Sequence, residues 1–181
     1  MAIGDLNGDG KADLVTASPG QATVSVLLGT GSGSFGAKAD FPADLGSLSV
    51  AIGDFNRDGR PDLVVTNQIT AGRVSVLLGT GTGSFGAPTG FATGSHAHSV
   101  AVADFNEDGN TDLAATNMVD DTVAVLLGTG TGSFGTKTTF PTGAHPLGVA
   151  AADLNRDGKP DLAVVNLFDN TVSVLLGTGA G

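Results

Sequence analysis

Four nine-residue stretches hold the residues best suited to chemistry. They read DLNGDGKAD at 5–13, DFNRDGRPD at 54–62, DFNEDGNTD at 104–112 and DLNRDGKPD at 153–161. The shared pattern is D-x-N-x-D-G-x-x-D. Its first, third and fifth residues are Asp5, Asn7 and Asp9; Asp54, Asn56 and Asp58; Asp104, Asn106 and Asp108; Asp153, Asn155 and Asp157. Oxygens at alternate positions converge on one centre when the chain curls tightly. Gly at the sixth position (Gly10, Gly59, Gly109, Gly158) permits the sharp turn. The carbonyl of the seventh residue, Lys11, Arg60, Asn110 or Lys159, can then point inward. The ninth residue, Asp13, Asp62, Asp112 or Asp161, closes the shell from the start of the next strand. All-oxygen ligation with several carboxylates suits a hard cation that takes six or seven ligands. Calcium is expected ahead of magnesium or zinc, one ion per loop and four in total.

The first half of the pattern matches an EF-hand loop, but an EF-hand needs Glu at position 12. Thr16, Val65, Ala115 and Val164 stand there, and the flanks read as strands. Asp and Asn also favour turns held by Asx hydrogen bonds with no ion. Repetition weighs against that reading. Two carboxylates about 4 Å apart repel by roughly 4 kcal/mol at an effective dielectric near 20, and four ion-free loops would strain every unit. The net charge is −10, and 12 of the 18 acidic residues are the motif Asp residues. Four divalent cations would bring that charge to −2. The eight basic residues include five inside the acidic loops, which argues against nucleic acid as a partner. No Cys is present, so disulfides and thiol chemistry are excluded and the redox compartment stays open. No apolar run is long enough to span a membrane. The N-terminal MAIGDLN lacks a basic segment followed by an apolar one, so no signal peptide is expected in this chain.

The loops recur at steps of 49, 50 and 49 residues, and a period near 50 marks propellers, solenoids or arrays. Each acidic loop lies between short apolar runs: SVAIGD at 49–54 and DLVVTN at 62–67, SVAVAD at 99–104 and DLAATN at 112–117, GVAAAD at 148–153 and DLAVVN at 161–166. A third run reads VSVLLGTG at 74–81, VAVLLGTG at 123–130 and VSVLLGTG at 172–179, followed by a Gly-rich turn into SFG. A second Phe follows six residues on, giving the pairs Phe35/Phe41, Phe85/Phe91 and Phe134/Phe140. Runs of four to six Val, Leu, Ile and Ala bounded by Gly, Asn, Asp and Pro are strands. The expected class is all-β. Four antiparallel strands per unit describe a β-propeller blade, apolar on both faces because neighbours cover it. A single domain over 1–181 is expected, with units 1–44, 45–94, 95–143 and 144–181. Fifteen strand signals leave the last blade one short, with the SFG strand missing. Such an edge invites pairing with another chain.

Taken together, the loop, VSVLLGTG and GSFGAP at 83–88 resemble the FG-GAP/VCBS repeat family, also found in the head of integrin α subunits. The resemblance covers essentially the whole chain. It implies a β-propeller with calcium in the hairpin between the first two strands of each blade, in rings of seven or eight blades. Its ligand positions fall on the same residues as above, with the carbonyls of Lys11, Arg60, Asn110 and Lys159. Asn7, Asn56, Asn106 and Asn155 stand where the integrin-type repeat has Asp, which removes one charge per site and weakens binding. An extracellular or secreted bacterial setting is implied.

The remaining signals are weaker. GTGSFG at 81–86 matches G-x-G-x-x-G but leads into a strand, whereas a dinucleotide site needs a helix N-terminus. His96, His98 and His145 are placed just before first strands, where ordinary loop polarity or, for His96 with His98, a transition-metal site would account for them. The Phe positions repeat, so they read as packing residues. The chain has one Glu, no Tyr and no evident nucleophile pair, so no enzyme is expected. The expected function is a calcium-binding module for adhesion or protein–protein interaction. Alternatives are a carbohydrate-binding or accessory domain of a secreted polysaccharide-degrading enzyme, and a homo-oligomer that completes a propeller ring.

Overall fold

The computed structural model describes residues 1–181, which form fifteen strands and no helix. Blade 1 comprises β1 (Ala2–Gly4), β2 (Asp13–Ser18), β3 (Thr23–Leu27) and β4 (Ala39–Pro42). Blade 2 comprises β5 (Ser47–Gly53), β6 (Asp62–Asn67), β7 (Arg73–Leu77) and β8 (Thr89–Ala92). Blade 3 comprises β9 (Ala97–Ala103), β10 (Asp112–Asn117), β11 (Thr122–Leu126) and β12 (Thr138–Pro141). Blade 4 has β13 (Pro146–Ala152), β14 (Asp161–Asn166) and β15 (Thr171–Leu175). Every sheet is an antiparallel meander in chain order, three of four strands and one of three. The all-β propeller reading from the repeat is what the chain adopts.

Two details differ from the sequence expectation. SFG is not the fourth strand. Phe35, Phe85 and Phe134 form only isolated bridges to Gly29, Gly79 and Gly128, and the fourth strand forms around the second Phe, at Phe41, Phe91 and Phe140. Two positive-φ glycines before each SFG, such as Gly81 and Gly83, turn the chain too sharply for a continuous ladder. The first strands also start earlier than expected. A register irregularity near Ser49, Ser99 and Gly148 admits extra residues, so His98 lies inside β9 rather than ahead of it.

Blades pack face to face through β-branched and Leu side chains. Val15, Val24 and Val26 of blade 1 meet Leu63, Val65 and Leu77 of blade 2. Val64, Val74 and Val76 on the other face of blade 2 meet Leu113, Ala115 and Leu126 of blade 3. A central strand thus buries all six residues in blades 2 and 3, which is why β6 and β10 read as continuous apolar runs. Thr66 and Thr116 add a polar latch between blades. Each hydroxyl accepts the N–H of Ser49 or Ser99 in its own blade and donates to the carbonyl of His98 or Leu147 in the next. The outer face of blade 4 has no such cover. Val172 and Val174 are 58% and 56% exposed, where their counterparts Val74 and Val76 are buried.

Candidate metal centres

Each acidic loop connects the first two strands of its blade: β1 to β2, β5 to β6, β9 to β10, β13 to β14. Its curl is set by two left-handed residues. The sixth-position glycines have φ of 76° to 89°, as the turn requires. The fourth position is left-handed too, held by Gly8 in the first loop but by Arg57, Glu107 and Arg156 at 59°, 59° and 64° in the others. Sequence reasoning missed this position; Gly8 was the only signal for it.

The curl turns main-chain N–H groups onto the motif oxygens. Asp5 Oδ1 accepts from Gly8 and Asp9, and its Oδ2 accepts from Gly10 at 2.7 Å. Asn7 Oδ1 accepts from Asp9, and Asp9 Oδ1 from Lys11. The other three loops repeat the pattern through Asp54, Asn56 and Asp58, Asp104, Asn106 and Asp108, and Asp153, Asn155 and Asp157. The first, third and fifth side chains are therefore brought together around one turn. Their N–H partners favour the ionised carboxylate. The Gly10 N–H holds Asp5 below the usual carboxylate value, the Lys11 ammonium does so for Asp9, and the Asn110 and Lys159 N–H groups do so for Asp108 and Asp157.

The ninth-position carboxylates are placed differently. Asp13, Asp62, Asp112 and Asp161 have no exposed surface. Each binds two N–H groups that sequence distance separates: Leu6 and Gly29, Phe55 and Gly79, Phe105 and Gly128, Leu154 and Gly177, all at 2.7–2.9 Å. They staple the acidic loop to the end of the third strand. The glycine there is needed for close approach, because a Cβ at Gly79 would collide with the Pro61 carbonyl oxygen. The repeated LLG of the third strand was the available signal. Burial pushes Asp62 and Asp112 upward despite these bonds, and the charges of Asp58 and Asp54, or of Asp108 and Asp104, push in the same direction. In these two loops the buried carboxylate thus feels the charge of the other two.

The donor set is the kind a hard cation takes: acceptor-only carboxylate oxygens and one amide oxygen per loop. No three acidic or histidine side chains gather closely enough to hold an ion by themselves. An ion in these loops would draw on the Asn oxygen and the seventh-position carbonyl as well, with the buried ninth-position Asp offering its remaining lone pairs. The histidines form no shared centre. His98 Nδ1 lies 3.2 Å from the Leu147 carbonyl, His96 contacts Ser95 Oγ, and His145 stacks on Phe168. Arg57 faces the neighbouring loop, where its charge further lowers Asp108.

Four meander blades in chain order define a β-propeller-like repeat protein. The FG-GAP-like repeat profile matches residues 5–65, 59–115 and 104–164, and the chain belongs to this family. Among solved structures it is similar to a lectin of Agrocybe aegerita, described by its specific recognition of non-reducing terminal N-acetylglucosamine. The identity is 20% and the TM-score 0.59, over 98% of this chain and 52% of the lectin. It is also similar to part of the Photorhabdus luminescens Tc holotoxin pore, at 24% identity and TM-score 0.51, over 90% of this chain and 8% of that one. The chain thus spans about half the length of the lectin. No curated protein matches it.

Proposed function

We propose that this chain is a non-enzymatic, calcium-stabilised propeller module that presents its loops to an extracellular partner, in adhesion or protein–protein binding. One observation carries the calcium part. Each of the four loops curls Asp, Asn and Asp oxygens around a single turn beside a buried Asp, and for Asp62 and Asp112 burial first, then the repulsion of the neighbouring carboxylates, raises the pKa. A divalent ion at Asp54, Asn56, Asp58, the Arg60 carbonyl and Asp62, and at the matching residues of the other loops, would offset that repulsion and fix the hairpin. The ion's chemistry there is charge neutralisation and cross-linking. Affinity near about 0.1–1 mM is expected, the range of extracellular modules. Metal analysis with thermal melts tests it: chelator should remove the metal and lower the Tm, and a melt insensitive to both chelator and calcium defeats the proposal.

Two other readings each have an observation in their favour. Phe168 is 67% exposed and stacks on the His145 ring at 4.0 Å, a flat platform of the sort sugars stack on. Selective retention on a glycan array, lost in Phe168→Ala, would replace the protein-binding reading. Ring closure with a second copy is favoured by Leu154, Val172 and Val174, which are exposed in blade 4 while their counterparts Phe55, Val74 and Val76 are buried against a neighbour. Light scattering decides: a dimer converted to monomer by Val174→Asp upholds this reading, and a strict monomer removes it.

A further inference from the structure

The acidic loops differ in charge at two positions, the fourth (Gly8, Arg57, Glu107, Arg156) and the seventh (Lys11, Arg60, Asn110, Lys159). In blades 1, 2 and 4 the seventh residue is a cation that lies across the glycine turn after its own third strand. A Cβ at Gly31 would meet Lys11 Cδ at 3.1 Å, one at Gly81 would meet Arg60 Cδ at 3.1 Å, and one at Gly179 would meet Lys159 Cε at 3.2 Å. Two of these cations also stand near the fifth-position Asp, Lys11 at 3.1 Å from Asp9 and Arg60 at 3.9 Å from Asp58. Blade 3 is built otherwise. Its seventh residue, Asn110, reaches the same turn without a charge, and the loop 104–112 holds no Lys or Arg. The cation comes from blade 2 instead. A Cβ at Gly130 would meet Arg57 Cδ at 3.0 Å, and one at Gly109 would meet Arg57 Nη2 at 2.9 Å. Asp108 responds: the Asn110 N–H first and, among smaller causes, the Arg57 charge hold it below the usual carboxylate value. Glu107 has the same φ of 59° as Arg57 and reaches forward in the same way, to Gly179 of blade 4.

We infer that Arg57, which is no ligand itself, sets the calcium affinity of the next blade: its guanidinium opposes an ion held by Asp104, Asn106, Asp108 and Asp112. The inference rests on the calcium reading above and adds a control to it. A guanidinium and a divalent ion beside the same carboxylates repel, so an entering ion works against the contact of Arg57 with Gly109. Coupling of this kind is reciprocal. An ion in the acidic loop of blade 3 loosens the hold of Arg57 on that blade by the free energy that Arg57 takes from ion binding. Lys11 and Arg60 oppose an ion too, but from within the loop that binds it. In blade 3 the opposing charge belongs to the neighbouring blade, so filling of the site is linked to how blade 2 lies against it. Arg57 is exposed, so water screens the repulsion, and its expected size is about three- to tenfold in affinity.

Calcium chloride titrated onto the full chain, followed by amide NMR, reads each loop through its sixth-position glycine: Gly10, Gly59, Gly109 and Gly158. In Arg57→Gln the Gly109 midpoint should fall by about three- to tenfold, and in Arg57→Glu it should fall further. Arg57→Lys keeps the charge and should keep the midpoint near that of the wild type. All three variants place a long side chain at the same left-handed φ, so charge is the variable that separates them. Gly59 lies in the loop that carries the substitution, yet its midpoint should move less, because the guanidinium lies on blade 3. In the wild type the Arg57 Nε–H signal should move with Gly109 rather than with Gly59. A Gly109 midpoint unchanged in Arg57→Gln and Arg57→Glu, or moved no further than that of Gly59, overturns the inference and leaves the calcium reading standing. Absence of a calcium response at all four glycines overturns both.

Discussion

Asp58 and Asp62 lie four residues apart in one loop and do opposite work. Asp58 is solvent-facing, accepts one main-chain N–H and sits within 3.9 Å of the Arg60 guanidinium. Asp62 is fully buried and accepts the N–H groups of Phe55 and Gly79, 7 and 17 residues away. The first shapes a turn and presents charge; the second ties the turn to the blade. Residue type alone made them equivalent. Their difference comes from what the fold brings to each oxygen.

Removing the staple should have the largest effect. Asp62→Ala leaves two buried N–H groups without acceptors, at about 1–3 kcal/mol each, so chemical denaturation should show a loss of about 2–6 kcal/mol. Asp58→Ala in chelator should lose less than about 1 kcal/mol, since exposed charge pairs contribute little. Equal losses for the two would break the distinction. Calcium comes next. Raising it to ten- to a hundredfold above the dissociation constant should stabilise the chelator-treated chain by about 1.4–2.7 kcal/mol per site. Asp58→Ala should forfeit one site's share, measured by melts with and without calcium.

Five loop carboxylates should also titrate on opposite sides of the ordinary carboxylate value of 3.8 when calcium is absent, which carboxyl NMR can read. Asp62 and Asp112 should titrate above it, chiefly because burial disfavours their charge. Asp5, Asp108 and Asp157 should titrate below it, because main-chain N–H groups favour theirs. The stability consequences differ in sign. A raised carboxylate contributes stability that is present at low pH and lost as pH rises through its folded value. The lowered ones contribute stability above 3.8 that is lost as pH falls through theirs. Asp62→Asn should therefore flatten the decline of stability above pH 4 and leave the acid limb unchanged. The smallest effect belongs to the turn itself. Arg156 holds a left-handed φ of 64° that Gly8 holds in the first loop, so Arg156→Gly should stabilise by about 0.5 kcal/mol, as relief of strain slightly exceeds the added chain entropy.

Much of this was legible in residue order. The 49-residue period, the apolar runs and the turn glycines give an all-β meander, because strand and turn preferences are local. The Asp, Asn and Asp trio is local as well, since a five-residue curl needs no distant partner. Phe85 and Phe134 could be read as packing residues from their repetition alone, but not as the plugs between particular blades. The fourth strand was misplaced because SFG and the following Phe segment carry similar apolar signals, and only the glycine backbone angles decide which one pairs. The buried role of Asp62 was invisible because its partners come from two other parts of the chain.

Sequence alone determined the repeat, the blade and the composition of the acidic loops, because each depends on contacts within a few residues or between adjacent strands. Tertiary structure decided which Asp is buried and which Phe fills which gap. Those outcomes depend on surfaces meeting across residues 16 to about 50 positions apart, and the identities of the residues do not say which surfaces will meet.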